Sequence, residues 1–248
     1  MTRPHVVVVG AYGSAGVAAA EALAEADVEL TLVDDGEPGG GLCILRGCMP
    51  SKEVLSAAAH RYQARHDDRL VGDLPDVDVE AVVERKDDNV LGYAEHRRGA
   101  VHDLAEREHV TFHHDTARFV DDRVLEVGGE RIEADYVVLA TGSTLNVPDL
   151  PGIGDVDWMG SRDVLDATEF PDSGVVMGFG YVGLELVPYL TEAAGMDITV
   201  VEHDDRPLDG YHPSFGEELL ELYREEFGVE IRTEVREERV EATADGGA

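Results

Sequence analysis

The first apolar run, residues 6–9, stops at a glycine turn after four valines, the length of a buried strand. Small and aliphatic residues follow with the composition of a helix, and a second strand then ends on Asp34. The same order returns at residues 175–202: a Val-rich strand, a glycine turn, an aliphatic helix, and a strand ending on Glu202. Between the copies the pattern predicts helices over residues 53–65 and 79–106 and then a strand-rich run. That run carries a Gly128-Gly129 hairpin signal and closes on an apolar strand at residues 136–139. The turn Ala140-Thr141-Gly142-Ser143 follows, and Pro148 and Pro151 bracket a crossover into a second domain. A helix at residues 215–227 and a strand at 229–232 come last. Asp245-Gly246-Gly247 is then a hairpin signal with no returning strand, so the second α/β unit reads as ended in mid-fold.

The two turns carry candidate chemistry. The second, Gly178-Phe-Gly180-Tyr-Val-Gly183, is a full GxGxxG, and Glu202 lies 19 residues beyond its last glycine. In the first, the glycines are Gly10, Gly13 and Gly16, with Asp34 18 residues on; aligning the last glycines puts Ala11 in the first glycine's place. Such glycines let the backbone approach a pyrophosphate seated on a helix N-terminus, where unpaired N–H groups and the dipole favour anions. The acid at the strand tip accepts hydrogen bonds from a ribose 2′-OH. Close helix–strand packing in an ordinary α/β domain is the competing account of the glycines. Pro188, inside the second helix, removes a backbone bond and predicts a kink.

Charge changes the picture of partners more than of fold. The 248 residues hold 53 acids against 20 Lys and Arg, a net charge of −33, and only Lys52 and Lys86 are lysines. A nucleic-acid backbone would be repelled. The acids are spread along the chain as a solvated surface, a composition suited to a cytoplasm at molar salt, where screening is short-ranged. No apolar run reaches the ~18 residues of a membrane span, and the N-terminal run is too short for a signal peptide, so a cytoplasmic protein is expected.

The chain has two cysteines, in GGGLCILRGCMPSK at residues 39–52. They could pair, bind a metal or sit reduced and inert. Cys43, Cys48, His60 and His66 loosely match a zinc spacing, but the segment after Cys48 reads as a helix without the hairpin of a zinc finger. In a regular helix the five-residue step rises about 7.5 Å, beyond the ~7 Å a disulfide tolerates between Cα atoms. Gly47 would permit the distorted turn that closes this gap, and Pro50 would start the next helix. Cys48 would then sit at a helix N-terminus, where a thiolate is stabilised.

GGGLCILRGCMPSK resembles the redox motif GGTCxxxGCxPSK of the class I pyridine nucleotide-disulfide oxidoreductases, the family of dihydrolipoamide dehydrogenase, mercuric reductase and glutathione reductase. The first glycine turn, the Ala140-Thr141-Gly142 turn and the GxGxxG with Glu202 follow in that family's order. The resemblance implies an α/β chain of two Rossmann-like dinucleotide-binding domains, FAD at residues 1–150 and NAD at 151–248, the second incomplete. Gly10, Gly13, Gly16 and Asp34 would hold the adenosine half of FAD, with Gly41, Thr141 and Gly142 also at the flavin site. Gly178, Gly180, Gly183 and Glu202 would hold NAD. Cys43 would be the interchange thiol and Cys48 the thiol against the flavin, paired as a disulfide when oxidised. Lys52 would lie near flavin N5 and pair with Glu185, expected buried among leucines. Tyr181 would cover the flavin until nicotinamide arrives.

The implied activity is electron transfer between a small-molecule dithiol, the cysteines, FAD and NAD, without metal or membrane. Dihydrolipoamide is favoured as the dithiol because of Glu202. Leu42 departs from the usual Thr, and Arg46 stands between the cysteines where the family is neutral. Family chains are roughly twice this long, and the other half supplies a dimerisation domain and a His–Glu acid–base pair lent by a partner subunit. A homodimer is therefore expected only with that half present. The alternatives are a catalytically incomplete nucleotide-binding fragment, or a relative acting on another disulfide or on mercuric ion.

Overall fold

The structure, a computed structural model, describes residues 3–243; the Asp245-Gly246-Gly247 turn signal lies outside them. The chain forms two compact units. One comprises the residues up to Pro50 with Asp87–Thr144, the other Ser51–Lys86 with the residues from Leu145 onward.

In chain order the elements begin with β1 (His5–Val9), α1 (Ser14–Ala24) and β2 (Glu29–Val33). Three helices follow: α2 (Gly41–Arg46), α3 (Cys48–Arg65) and α4 (Val79–Ala105). Next come β3 (Val110–His113), β4 (Ala117–Asp121), β5 (Val124–Val127), β6 (Glu130–Glu133) and β7 (Tyr136–Leu139). In the first unit β3-β2-β1-β7 form a parallel sheet, and β4-β5-β6 an antiparallel meander. The valines of β1 alternate between two faces. Val6 and Val8 pack with Val17 and Ala20 of α1 and Val101 of α4, whereas Val7 packs with Leu125 and Val127 of the meander. Burial on both faces explains why β1 is an unbroken apolar run. Gly128 (φ 56°) and Gly129 (φ 85°) make the two-residue turn between β5 and β6, as their sequence predicts.

The second unit adds α5 (Ser161–Asp166), β8 (Ser173–Met177), α6 (Tyr181–Pro188), β9 (Asp197–Val201), α7 (Pro213–Glu226) and β10 (Glu230–Arg232). Its sheet is parallel, in the order β10-β9-β8. Phe179, Leu186, Tyr189, Ile198, Val200 and Tyr223 build its core. Glu192, also buried, is held by two guanidinium groups, Arg61 at 2.7 Å and Arg65 at 2.6 Å. A buried carboxylate requires such pairing.

Several elements differ from expectation. The helix expected at residue 53 starts at Cys48, and Pro50 falls in its first turn, where a missing N–H leaves nothing unbonded. Helices α2 and α5, six residues each, are too short to show a period. At Pro188 the chain leaves the α-helix for a π-helical turn, Tyr189–Ala193, so the expected kink is a change of helix type. No helix among the described residues is long and apolar enough to cross a membrane.

Candidate dinucleotide and thiol sites

The first glycine turn is built against the ends of three strands. Gly10 has φ 92°, its N–H donates to the Val33 carbonyl at 2.8 Å, and a Cβ there would lie 2.3 Å from the Ala140 carbonyl oxygen. Gly13 caps α1, and a Cβ on Gly16 would lie 1.9 Å from the Gly10 oxygen. In the second turn Gly178 has φ 89° and its N–H donates to Val201 at 2.8 Å, Gly180 caps α6, and a Cβ on Gly183 would lie 2.4 Å from the Gly178 oxygen. Gly10 is therefore the counterpart of Gly178, not Ala11. The first turn holds one extra residue between its first two glycines, which is why aligning the last glycines gives the wrong partner.

The strand-tip acids brace these turns. Asp34 accepts from the Tyr12 N–H and the Gly36 N–H, both at 2.8 Å. Glu202 does the same for Phe179 at 2.6 Å and Asp204 at 3.0 Å. A carboxylate has about four acceptor sites, so each acid retains capacity for a ribose hydroxyl. The two donors are alike in another way: Tyr12 and Phe179 are both buried, so each turn is anchored by an aromatic ring beneath it. Tyr12 also hydrogen-bonds His102 Nε2 through its hydroxyl at 2.7 Å, and burial, with help from the Asp34 charge, pushes that phenol up to about 12. No apolar period or motif letter singles out either aromatic. Their signal was position: each stands just inside a glycine turn that an acid closes.

The thiol segment docks on the first turn. Gly39, Gly40 and Gly41 have φ of 94°, 97° and 70°, conformations that only glycine adopts freely. A Cβ on Gly41 would lie 2.6 Å from the Gly13 Cα, so this run lies directly against the first glycine turn. Cys43 sits in α2, half-buried, and Cys48 is the exposed first residue of α3. Gly47 joins the two helices, and a Cβ on it would crowd the Cys43 Cα at 3.3 Å. The break expected at Gly47 is present and turns the chain back on Cys43. Gly142, at φ 73°, lies beside Leu42, and Thr141 is exposed next to it. Gly10, Gly13 and Gly41 thus meet backbone to backbone, with Ala140 closing the far side of Gly10.

In the second unit Lys52 and Glu185 form an ion pair, and Ser51 Oγ donates to the other Glu185 oxygen at 3.0 Å. Glu185 is half-exposed rather than buried, because it lies at the edge of the face that carries Leu186 and Val187 into the core. The Lys52 ammonium, then Ser51, holds its carboxyl below the usual carboxylate range. Ser51 is a further residue of this pair's setting, and its only signal in the sequence is that it neighbours Lys52. Tyr181 opens α6, is exposed, and donates its hydroxyl to Tyr211 at 3.0 Å. Among the described residues no group of three or more His, Cys, Asp or Glu is placed to hold a metal ion.

The sequence family described as pyridine nucleotide-disulphide oxidoreductase matches residues 4–247. The chain belongs to this family. Dihydrolipoyl dehydrogenase of Halobacterium salinarum is 34% identical over 242 residues, which cover 93% of this chain and 48% of that protein. Mercuric reductase of Bacillus cereus is 29% identical, over 96% of this chain and 37% of that protein. The chain thus spans half or less of the length of these relatives. Among solved structures, the HOCl-induced flavoprotein disulfide reductase RclA from Escherichia coli superposes with a TM-score of 0.76 at 24% identity, over 96% of this chain and 51% of that one. That likeness supports the α/β, Rossmann-like fold of the pyridine nucleotide-disulphide oxidoreductases.

Proposed function

We propose that this chain carries the thiol and dinucleotide sites of an FAD-dependent disulfide oxidoreductase that passes electrons between a dithiol, Cys43 and Cys48, FAD and NAD. The observation that carries the reading is the contact of Gly41 with Gly13, which brings the cysteine segment against the first dinucleotide turn. Gly10, Gly13, Gly16 and Asp34 would hold the adenosine half of FAD, with Gly41, Thr141 and Gly142 also at the flavin site. FAD bound there supplies a two-electron carrier between thiols and nicotinamide. Cys43 exchanges with the substrate: a substrate thiolate attacks its sulfur, the Cys43–Cys48 bond breaks, and the Cys48 thiolate leaves beside the positive end of α3. A second exchange closes the substrate disulfide and leaves both cysteines reduced. Reoxidation of the two thiols to the disulfide gives up two electrons and two protons, of which NAD would take both electrons and one proton. Lys52, paired with Glu185, would supply the cation near the flavin, as the family resemblance implies. Dihydrolipoamide is the favoured dithiol, in keeping with the 34% identity to a dihydrolipoyl dehydrogenase.

The test is thiol counting on the oxidised protein before and after dihydrolipoamide, with added FAD. Two new thiols and a bound yellow flavin are expected, and Cys43→Ser abolishes the new thiols while keeping the flavin. No flavin and an unchanged thiol count would reduce the chain to a nucleotide-binding fragment. Thiols protected by mercuric ion but untouched by dihydrolipoamide would favour the mercuric reductase relationship.

The second turn selects the nucleotide. Glu202, just past β9 and accepting from the Asp204 N–H, would repel a 2′-phosphate on the ribose. Arg206, the nearby cation, is engaged by Asp205, and its stem packs on Gly216. NAD is expected to bind at least about tenfold more tightly than NADP, or ~1.4 kcal/mol. Fluorescence titration of both decides it, and tighter NADP would overturn the assignment.

A further inference from the structure

Pro188 has no N–H, so the helical bond to the Leu184 carbonyl is missing, and the proline ring pushes that carbonyl aside. The next N–H does not replace it, because Tyr189 donates to Leu186 and Ala194 reaches back to Tyr189 in the π-helical turn. Side-chain hydroxyls take over instead. Thr191 Oγ1 donates to Val187 at 3.0 Å, and the Tyr223 hydroxyl donates to Leu184. Leu184 immediately precedes Glu185.

Tyr223 reaches this point from α7. Its ring is buried and meets Phe179 edge-on, with centroids 5.0 Å apart. Phe179 is the residue whose N–H Glu202 holds in the second glycine turn. One tyrosine therefore touches both the dinucleotide turn and the backbone that presents Glu185. Burial, and secondarily the Glu185 charge, pushes the Tyr223 phenol up to about 12, so it remains a donor across the neutral range.

We propose that Tyr223 is a positioning residue for the Lys52–Glu185 pair, its hydroxyl standing in for the helix bond that Pro188 removes. Its functional meaning rests on the assignment of that pair to the flavin site; the positioning itself does not. Without the hydroxyl, the Leu184 carbonyl is left without its donor in a half-buried setting, and the turn carrying Glu185 rotates to find another. Ser51 and Lys52 then lose their alignment on the carboxylate.

Tyr223→Phe removes the hydroxyl and keeps the ring against Phe179. In the full chain, the Glu185 carboxyl is followed by carbon-13 NMR through a pH titration, its signal assigned by loss in Glu185→Gln. The wild-type carboxyl is expected to titrate below the usual range, and that of Tyr223→Phe to move up towards it. Adding Pro188→Ala to Tyr223→Phe returns an N–H to the Leu184 carbonyl and should restore the wild-type titration. A lowered melting temperature with the Glu185 titration unmoved would make Tyr223 merely structural and overturn the proposal. So would a shift that Pro188→Ala leaves in place. The readout needs neither flavin nor turnover. A chain that binds no FAD yet shows the shift and its rescue therefore supports the positioning role while refuting the redox reading.

Discussion

Gly16→Ala is expected to destroy the first dinucleotide turn and flavin binding with it. The new Cβ would stand 1.9 Å from the Gly10 oxygen, 2.8 Å from its carbonyl carbon and 2.9 Å from the Ala11 Cα. Carbon atoms meet comfortably at about 3.5–4.0 Å, and every neighbour here is backbone, so no side chain can swing aside. The Gly10 carbonyl cannot retreat cheaply either. Its residue is tied to Val33, and its own Cα faces the Ala140 carbonyl. Overpacking in a core that yields costs about 1–3 kcal/mol, and a rigid site belongs at or above the top of that range. At this chain length ~3 kcal/mol corresponds to a fall of roughly 6–12 °C in melting temperature. Gly99→Ala is the control: it lies in α4 with nothing within 4 Å of its Cβ, and should be neutral or stabilising. Melting curves and FAD titration read both variants. A Gly16→Ala chain that holds flavin as well as Gly99→Ala does would remove the first turn from the site.

Much of this architecture can be read from residues alone where one physical requirement dominates. Val6–Val9 must be buried on both faces, and the unbroken run says so. Gly128-Gly129 needs positive φ twice, which leaves a tight hairpin as the natural use of the pair. The turns were equally clear in kind but not in register. Which glycine takes φ 92° depends on the bond from Gly10 to Val33, a contact between distant residues that spacing does not encode. The extra residue of the first turn, Ala11, is itself fully buried, and this too is a tertiary event.

The thiol segment divides similarly. Gly47 marks the break between the cysteines, but α2 has no apolar period from which to infer a helix, and the start of α3 at Cys48 was hidden by the stronger signal of Pro50. Glu185 was expected buried because leucines flank it. A helix position is set by angle rather than by neighbours, and 185 falls at the rim while 186 and 187 face inward. Pro188 announces a missing bond, yet the sequence cannot say that a tyrosine 35 residues later supplies the donor.

Salt should govern whether the chain stays folded at all. With a net charge of −33, the cations run out long before the acids do. Those present are spent on local pairs such as Arg3 with Asp27, Arg232 with Glu230 and Arg239 with Glu241, all solvent-exposed. Exposed pairs contribute ~0–1 kcal/mol each, so they cannot offset the repulsion among the remaining carboxylates. Screening decides the balance instead, because the Debye length falls from about 30 Å at 0.01 M to about 3 Å at 1 M. Folding concentrates the charges, and the compact state therefore loses stability as salt is withdrawn. We propose that the surface is adapted to molar salt. On dialysis from 2 M to 0.05 M potassium chloride, a loss of a few kcal/mol should lower the melting temperature by about 10 °C or more at this chain length. Circular dichroism melts across the series measure this. Sucrose at matched osmolality supplies excluded-solute stabilisation without screening, and should recover only a minor part of the loss. A melting temperature that is flat across the series, or one that sucrose restores as fully as salt, would mean that the acids are a solubility feature and not an adaptation to ionic strength.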